Sequence, residues 1–374
     1  MTKEIDWQAI RALFPATEGQ VYLDTASMGP GPSTTVEAMT EHLDQWHSGR
    51  GQWMDWDLAG ERVRAGLGRL LETDAKNVAL MPALSAAAGQ VAESLPFEAG
   101  ANIVVGEGEF QSNYFPWANQ ARRGFEIRSV PFIDGRLSLE ELERRVDEGT
   151  SLIAASYVQS ASGSRVDTDE LVRIARANGA RIFLDATQAL GAIRVPTDGI
   201  DYIGGAAYKW LLSPRGTAYL YTTPERAVEM APLAPNWKTH DVPYRDYYGP
   251  PFEPPPDARR FDLSLAWPLW VGLAKSIEML EELSPAEIEK RDLTLASLFC
   301  EGLSAIGLQE LYPDARNSPI VSLRVADPEG VSKVLAEHQV VAAVRGAFVR
   351  FAFHFFNDES DVQRALDALG VASR

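Results

Sequence analysis

The chain is short of cysteine, of basic residues and of long apolar runs, and each shortage excludes a class of protein. One cysteine, Cys300, among 374 residues leaves nothing to build a disulfide framework. It sits in an apolar helical pattern with Leu298, Phe299 and Leu303, the setting of a packed core thiol. Lys and Arg number 35 against 52 Asp and Glu, for a net charge of -17. Nucleic acid and anionic membranes both demand a basic footprint, so neither is an expected partner, and the acidity serves solubility. No apolar run approaches the roughly 20 residues that a membrane helix needs, and no signal-peptide pattern opens the chain. A cytoplasmic location is expected. Internal repeats and low-complexity tracts are also missing. What remains is ordinary globular composition, 45% hydrophobic and 23% charged, in a length that allows two domains.

The stretch Arg181 to Tyr221 carries the chemistry. The apolar run Ile182-Phe183-Leu184 reads as a buried strand and ends in Asp185. An acid at the carboxyl end of such a strand points into the crevice where open α/β sheets bind ligands. A second run, Tyr202 to Ala207, ends at Tyr208-Lys209, and Thr217 to Thr222 reads as a third strand after a Ser-Pro-Arg-Gly turn. An aspartate and a lysine thus stand at neighbouring strand ends. Alone, each has a plain reading: an acid capping a turn and a surface lysine. Together they are what pyridoxal 5'-phosphate requires, a lysine to hold it as a Schiff base and an acid to keep its pyridine nitrogen protonated.

The same string, L-D-A-x-Q-x-x-G followed by Y-K-W-L-L-x-P-R-G-x-A-Y-L-Y, resembles the class V aminotransferase family of fold-type I enzymes. That family includes cysteine desulfurases, selenocysteine lyases, isopenicillin N epimerase-like enzymes and kynureninases. The resemblance implies an α/β fold with a mostly parallel seven-stranded sheet and a smaller α+β domain. The expected division is 15–262 for the large cofactor domain, and 1–14 plus 263–374 for the small one. It also implies roles: Lys209 as the Schiff-base lysine and catalytic base, Asp185 at the ring nitrogen, and Gln188 beside the cofactor.

Other motifs extend the resemblance. Val21 to Ser27 is similar to the family's Y-L-D-N-A-A opening, and Ser33 after a Gly-Pro turn is a candidate helix cap. His47-Ser48-Gly49-Arg50-Gly51 matches a loop that reaches toward the active site, where Arg50 can meet a substrate carboxylate or remain a plain exposed arginine. Trp46, Trp53 and Trp56 beside it line either a pocket or a subunit interface. Leu58, Val63, Leu67, Leu70 and Leu71 share one face of a helix. Val78 to Met81 reads as a strand, and Ser85 and Ala86 open the helix that in the family cradles the phosphate. Here Ala83-Leu84-Ser85-Ala86 stands where relatives have Gly-Thr-Thr-Glu, so one hydroxyl survives. Glu109-Phe110 replaces the desulfurases' Glu-His. Phe110 can stack on the pyridine ring but cannot transfer protons. Ser160 takes the place of the Asn that contacts the ring hydroxyl. At the lysine, Ala206-Ala207-Tyr208 replaces S-x-H, which leaves the Tyr208 hydroxyl for the phosphate. Arg215 has no assigned role.

Residues 231–260 are rich in proline and hold Trp237, Tyr244, Tyr247, Tyr248 and Phe252. Such a segment is expected to be an ordered loop over the active-site mouth that sets substrate choice, the alternative being an interdomain linker. Phe261 to Trp267 matches the family's F-E-x-G-T-P-N, whose Thr reaches the partner subunit's phosphate. Leu265 replaces that Thr, and Ser264 is the nearest hydroxyl. A homodimer with a shared active site is still expected. Helices are predicted over Thr168 to Ala177 and Trp267 to Leu283, with Ser138-x-x-Glu141 and Ser284-Pro285-Ala286-Glu287 as capping boxes. Arg350, near the end, aligns with the arginine that clamps the substrate α-carboxylate. By composition alone, a lone Arg on a strand is solvent-exposed.

The family's desulfurases carry a nucleophilic cysteine just before that arginine, and Val341 to Ala347 has none. The expected function is therefore a lyase acting on an amino acid or modified amino acid, with carbon–sulfur cleavage as one case, and not a desulfurase. Transamination or epimerisation is the alternative. A non-catalytic amino-acid-binding relative is the reading from another class.

Overall fold

Short apolar runs alternate with amphipathic helices through the first two thirds of the chain, and this spacing builds a parallel sheet. The computed structural model describes residues 5–244, 247–312 and 317–372. Seven strands form the main sheet: β1 (Val78–Met81), β2 (Asn102–Gly106), β3 (Glu126–Val130), β4 (Thr150–Ser156), β5 (Arg181–Asp185), β6 (Tyr202–Ala206) and β7 (Ala218–Thr222). Their order is β1-β7-β6-β5-β4-β2-β3. All pairs are parallel except those of β7, which runs antiparallel to β1 and β6. Every residue of β1, β2, β6 and β7 is buried, as expected of strands covered on both faces.

Helices α1 (Ser33–His47), α2 (Trp53–Leu70), α3 (Leu84–Ser94) and α4 (Thr168–Ala177) accompany this sheet. They are followed by α5 (Trp267–Leu283), α6 (Pro285–Ala305), α7 (Pro328–Glu337) and α8 (Glu359–Ala372). A smaller antiparallel sheet, β8 (Ile320–Arg324), β9 (Ala343–Arg345) and β10 (Phe348–Ala352), has the order β8-β10-β9. Its core joins Phe299, Cys300, Leu323 and Phe351 to Val21 and Leu23 from the start of the chain. Val21–Tyr22 pairs in parallel with Val340–Val341, and so ties the two ends together. No helix among the described residues is long and apolar enough to cross a membrane.

Several local expectations are corrected. Ser33 is the first helical residue rather than the cap: Pro32 precedes it, with no side-chain cap bond. Ser138 does accept the Glu141 amide, but Ser284 caps nothing. Ser284 is the hinge residue shared by α5 and α6, and its φ of 67° turns its side chain away from the cap geometry. Leu58 is 38% exposed while Val63 and Leu67 are fully buried, so the apolar face of α2 is narrower than its spacing implies.

The loop at 231–260 is ordered for a specific reason. Asp57 on α2 is fully buried and accepts Lys238 Nζ (2.6 Å), Tyr244 Oη (2.7 Å) and Trp267 Nε1 (3.0 Å). A buried carboxylate needs such partners, and this one draws the loop onto α2 and α5. Trp53 packs against Trp237, Tyr247 and Trp267 at ring-centroid distances of 6.0, 6.1 and 6.2 Å. Of the expected loop, Arg245 and Asp246 lie outside the described residues, as do 1–4, 313–316 and 373–374 of the expected small domain.

Candidate active site

The carboxyl ends of β1, β2, β4, β5 and β6 converge on one cavity. Its lining includes Ser85, Phe110, Ser160, Asp185, Gln188, Tyr208 and Lys209, contributed by segments that follow five different strands. This is the rim where parallel sheets place ligands.

Lys209 stands three residues past β6 and is 6% exposed. Its turn is held by the amino-terminal segment: Gly29 N donates to Tyr208 O at 2.9 Å. Any Cβ at Gly29 would lie 2.0 Å from the Lys209 carbonyl oxygen, so only glycine allows this approach. Burial pushes the Lys209 ammonium down to about 8; Asp185 opposes that, while Arg350 and Arg345 add to it. The amine lies 5.7 Å from the Phe110 ring centroid and 5.8 Å from that of Tyr208.

Asp185 ends β5, is 5% exposed, and accepts the Thr187 amide at 2.8 Å. Burial pushes its carboxyl up, with the Thr187 bonds and Lys209 pulling the other way. Such a carboxyl lacks a cationic partner at bonding distance, which a protonated ring nitrogen would supply. Gln188 Nε2 donates to Ala26 O and Ser160 Oγ (2.9 Å each), and its Oε1 accepts Trp210 Nε1 at 2.9 Å.

At the opposite end α3 begins. Ala83 caps it without a side-chain bond, and the Leu84 and Ser85 amides meet no acceptor among the described residues. Neither do the Ser85 and Tyr208 hydroxyls. Ala86, expected in the cradle, does not line the cavity; its amide is taken by Ala83 O at 3.1 Å.

Arg350 is fully buried on β10, contrary to the exposed reading. It donates to Ser160 O (2.6 Å), Asp24 Oδ1 (2.9 Å) and Ser27 Oγ (2.6 Å). These partners replace water around the guanidinium. It stands behind Ser160 rather than in the cavity lining. Arg50 is exposed at the end of α1 and is not brought to this cavity, and no described residue of 231–260 lines it. Ser264 is exposed and accepts Trp237 Nε1 at 3.3 Å.

Glu109 is a site residue that the sequence reading passed over. Its carboxylate accepts Ser156 N (2.8 Å), Ser156 Oγ and Asn113 Nδ2 (3.1 Å). Burial pushes it up to about 7, against the pull of the Ser156 bonds, with Asp185 adding to the rise. Its position just after β2, next to Phe110, was the available signal. Thr187 was also missed; its Oγ1 accepts the Ala206 amide at 3.1 Å and locks β5 to β6.

The donor set therefore fits one group: an amine for an aldehyde, an acid for a ring nitrogen, and unpaired amides and hydroxyls for a phosphate. The sequence profile described as Aminotransferase class-V matches residues 21–365. The chain belongs to the class-V aminotransferase family. Members are pyridoxal 5'-phosphate enzymes acting on amino acids, lyases and aminotransferases among them. The chain is 28% identical to a probable cysteine desulfurase of Methanothermobacter thermautotrophicus, covering 95% of each. It is also 28% identical to the isopenicillin N epimerase of Streptomyces clavuligerus, covering 97% of this chain and 98% of that one. Among solved structures, a C-DES variant with glycine linked to its PLP cofactor has a TM-score of 0.86 at 19% identity, covering 96% and 98%. That likeness establishes the fold, the fold-type I architecture expected above.

Proposed function

We propose that this class-V enzyme is a lyase: it removes the α-proton of an amino acid or modified amino acid and expels a β-substituent, with carbon–sulfur cleavage included. The observation that carries the reading is Lys209, a nearly buried amine lowered to about 8. A base poised near neutrality can both take a proton and return it. When bound, pyridoxal phosphate supplies an electron sink for the carbanion. Lys209 Nζ accepts the α-proton and hands it to the departing group. Asp185 would accept the hydrogen bond of a protonated ring nitrogen, Phe110 would cover the ring, Ser160 and Gln188 would meet its edge, and Ser85 and Tyr208 would hold its phosphate. Arg350 attracts the substrate carboxylate from behind Ser160.

Two observations narrow the reaction. Phe110 brings no titratable atom to the cavity, which supports a reaction that needs no proton transfer from that side chain. The chain's one cysteine is Cys300, 3% exposed in the core of the small sheet, which supports a reaction other than persulfide transfer. Aminotransfer remains the second reading, because one lysine base suffices for it. The division at residues 262 and 263 and a homodimer belong to this proposal. The exposed Trp46, Trp53, Met54, Phe110 and Phe115 support a partner surface.

The test is the visible spectrum of the purified protein with pyridoxal phosphate as amino acids and cysteine S-conjugates are added. A lyase restores its band while releasing ammonia and a keto acid. A band that stays bleached until a keto acid is added means aminotransfer. No band at all sinks the reading and leaves the non-catalytic relative.

A further inference from the structure

The phosphate end of the cavity is poor in side-chain donors. Ala83, Leu84 and Ala206 offer none, and the Ser85 and Tyr208 hydroxyls stand beside them in a lining that also includes Ser112 and Thr217. The same end holds a cation that the proposed chemistry does not use. Arg215 lines the cavity, and its guanidinium carbon lies 5.2 Å from the Tyr208 ring centroid, a stacking distance. No carboxylate among the described residues pairs with it. Arg64, Arg259 and Arg350 all have acid partners, as is ordinary in a chain of net charge -17.

The turn that carries Arg215 is fixed to the lysine turn. Ala207 N donates to Thr217 O (3.0 Å) and Ser213 N to Ala207 O (3.2 Å). Ser213 Oγ bonds Thr217 Oγ1 (2.8 Å), which also donates to Pro214 O (3.0 Å). Arg215 is thereby held at a set position relative to Tyr208 and Lys209. Around it the Leu84 and Ser85 amides and the two hydroxyls are donors without acceptors. A cation among unpaired donors at a helix start is a phosphate site in its chemistry.

We propose that Arg215 is the cationic ligand of the cofactor's phosphate, with the Tyr208 ring as its platform, in place of the donors that Ala206 and the start of α3 lack. The inference rests on the cofactor reading above.

The experiment compares pyridoxal phosphate with pyridoxal, which lacks the phosphate, by titrating each into cofactor-stripped protein and following the absorption of the lysine-linked aldehyde. Arg215→Gln is expected to weaken pyridoxal phosphate by about 10- to 100-fold, the range of a charge-assisted bond, while pyridoxal binding stays the same. Arg215→Lys is expected to recover part of the loss. Because Arg215 is exposed, the thermal midpoint of the stripped protein should not move. Equal affinity of wild type and Arg215→Gln for pyridoxal phosphate overturns the proposal. So does an equal loss for both aldehydes, which would mean a general distortion. If Arg215→Gln binds the cofactor normally but no longer responds to an acidic amino acid such as L-aspartate, the arginine serves the substrate instead and the proposal falls. Wild-type protein that forms no band with either aldehyde fails the cofactor reading itself, and the inference falls with it.

Discussion

The two ends of the Lys209 cavity are built on opposite terms. At the α3 end, amides, hydroxyls and a guanidinium face the cavity without acceptors. At the rear, nearly every polar atom is paired in one chain of bonds. Gln188 joins Ala26, Ser160 and Trp210; Arg350 joins Ser160, Asp24 and Ser27. His354 Nε2 faces Trp210 O at 3.1 Å and its Nδ1 faces Asp292 Oδ2 at 2.8 Å. The exceptions are Arg350 Nε and Asp292 Oδ1. Polar groups left unpaired mark where a ligand completes the structure, and a paired network marks a frame that keeps the site's geometry whether or not a ligand is present. The comparison teaches that binding and positioning are divided between the two ends, with Lys209 at the junction.

The largest expected effect breaks that junction. Lys209→Ala should abolish the covalently held cofactor and lower turnover by about 10³-fold or more. Stability at pH 7 should hold or rise, because burial disfavours the ammonium that the variant lacks. Spectra and thermal unfolding of the same sample separate the two readouts. A variant that loses its fold along with its cofactor would mean that the lysine belongs to the frame.

The next effect breaks the frame and spares the chemistry. The Trp210 carbonyl accepts a hydrogen bond from His354 Nε2, and Nδ1 is then the atom that faces Asp292 Oδ2. His354→Ala strands a buried carboxyl and should cost about 3–5 kcal/mol in denaturant unfolding, while aldehyde binding to Lys209 persists. The pair also sets a pH dependence. Burial raises the Asp292 carboxyl to about 6, against the pull of His354. Below about 4 it is protonated in both folded and unfolded chains. Between about 4 and 6 the unfolded chain releases the proton and the folded one keeps it, so stability falls as pH rises through that window. Asp292→Asn cannot ionise. Its stability relative to wild type should therefore improve by up to about 2 kcal/mol from pH 4 to pH 6. A pH-independent difference would show that the carboxyl is ionised throughout.

The sequence disclosed the first half of this comparison better than the second. The strand Val78–Met81, and helices Thr168–Ala177 and Trp267–Leu283, were legible to the residue because period and turn chemistry are local. The nearness of Asp185 and Lys209 was legible because one ends β5 and the other stands three residues past the neighbouring β6. The frame was not, because its bonds join residues far apart in the chain: Arg350 to Asp24 across 326 positions, His354 to Trp210 across 144. Composition made Arg350 an exposed residue, and only its distant partners explain its burial. The anchoring of the 231–260 loop was hidden in the same way. Its aromatics fitted a lid over the mouth, but the buried Asp57, unremarkable in sequence, fastens them to α2.

The smallest expected effect lies where the frame meets the cavity. Trp210 follows Lys209 directly, and its one side-chain bond goes to Gln188 Oε1 at 2.9 Å. Trp210→Phe removes that donor and keeps most of the ring packing. It leaves one buried acceptor unpaired, a loss of about 1–2 kcal/mol. If the frame positions the site through Gln188, pyridoxal and pyridoxal phosphate affinity should weaken together, by about 3- to 10-fold, since the missing bond acts on Ser160 and not on the phosphate. That equal loss is the opposite of the pattern expected at Arg215. A Trp210→Phe protein that discriminates between the two aldehydes would erase the division between the ends, because the frame would then be reaching the phosphate through the lysine turn itself.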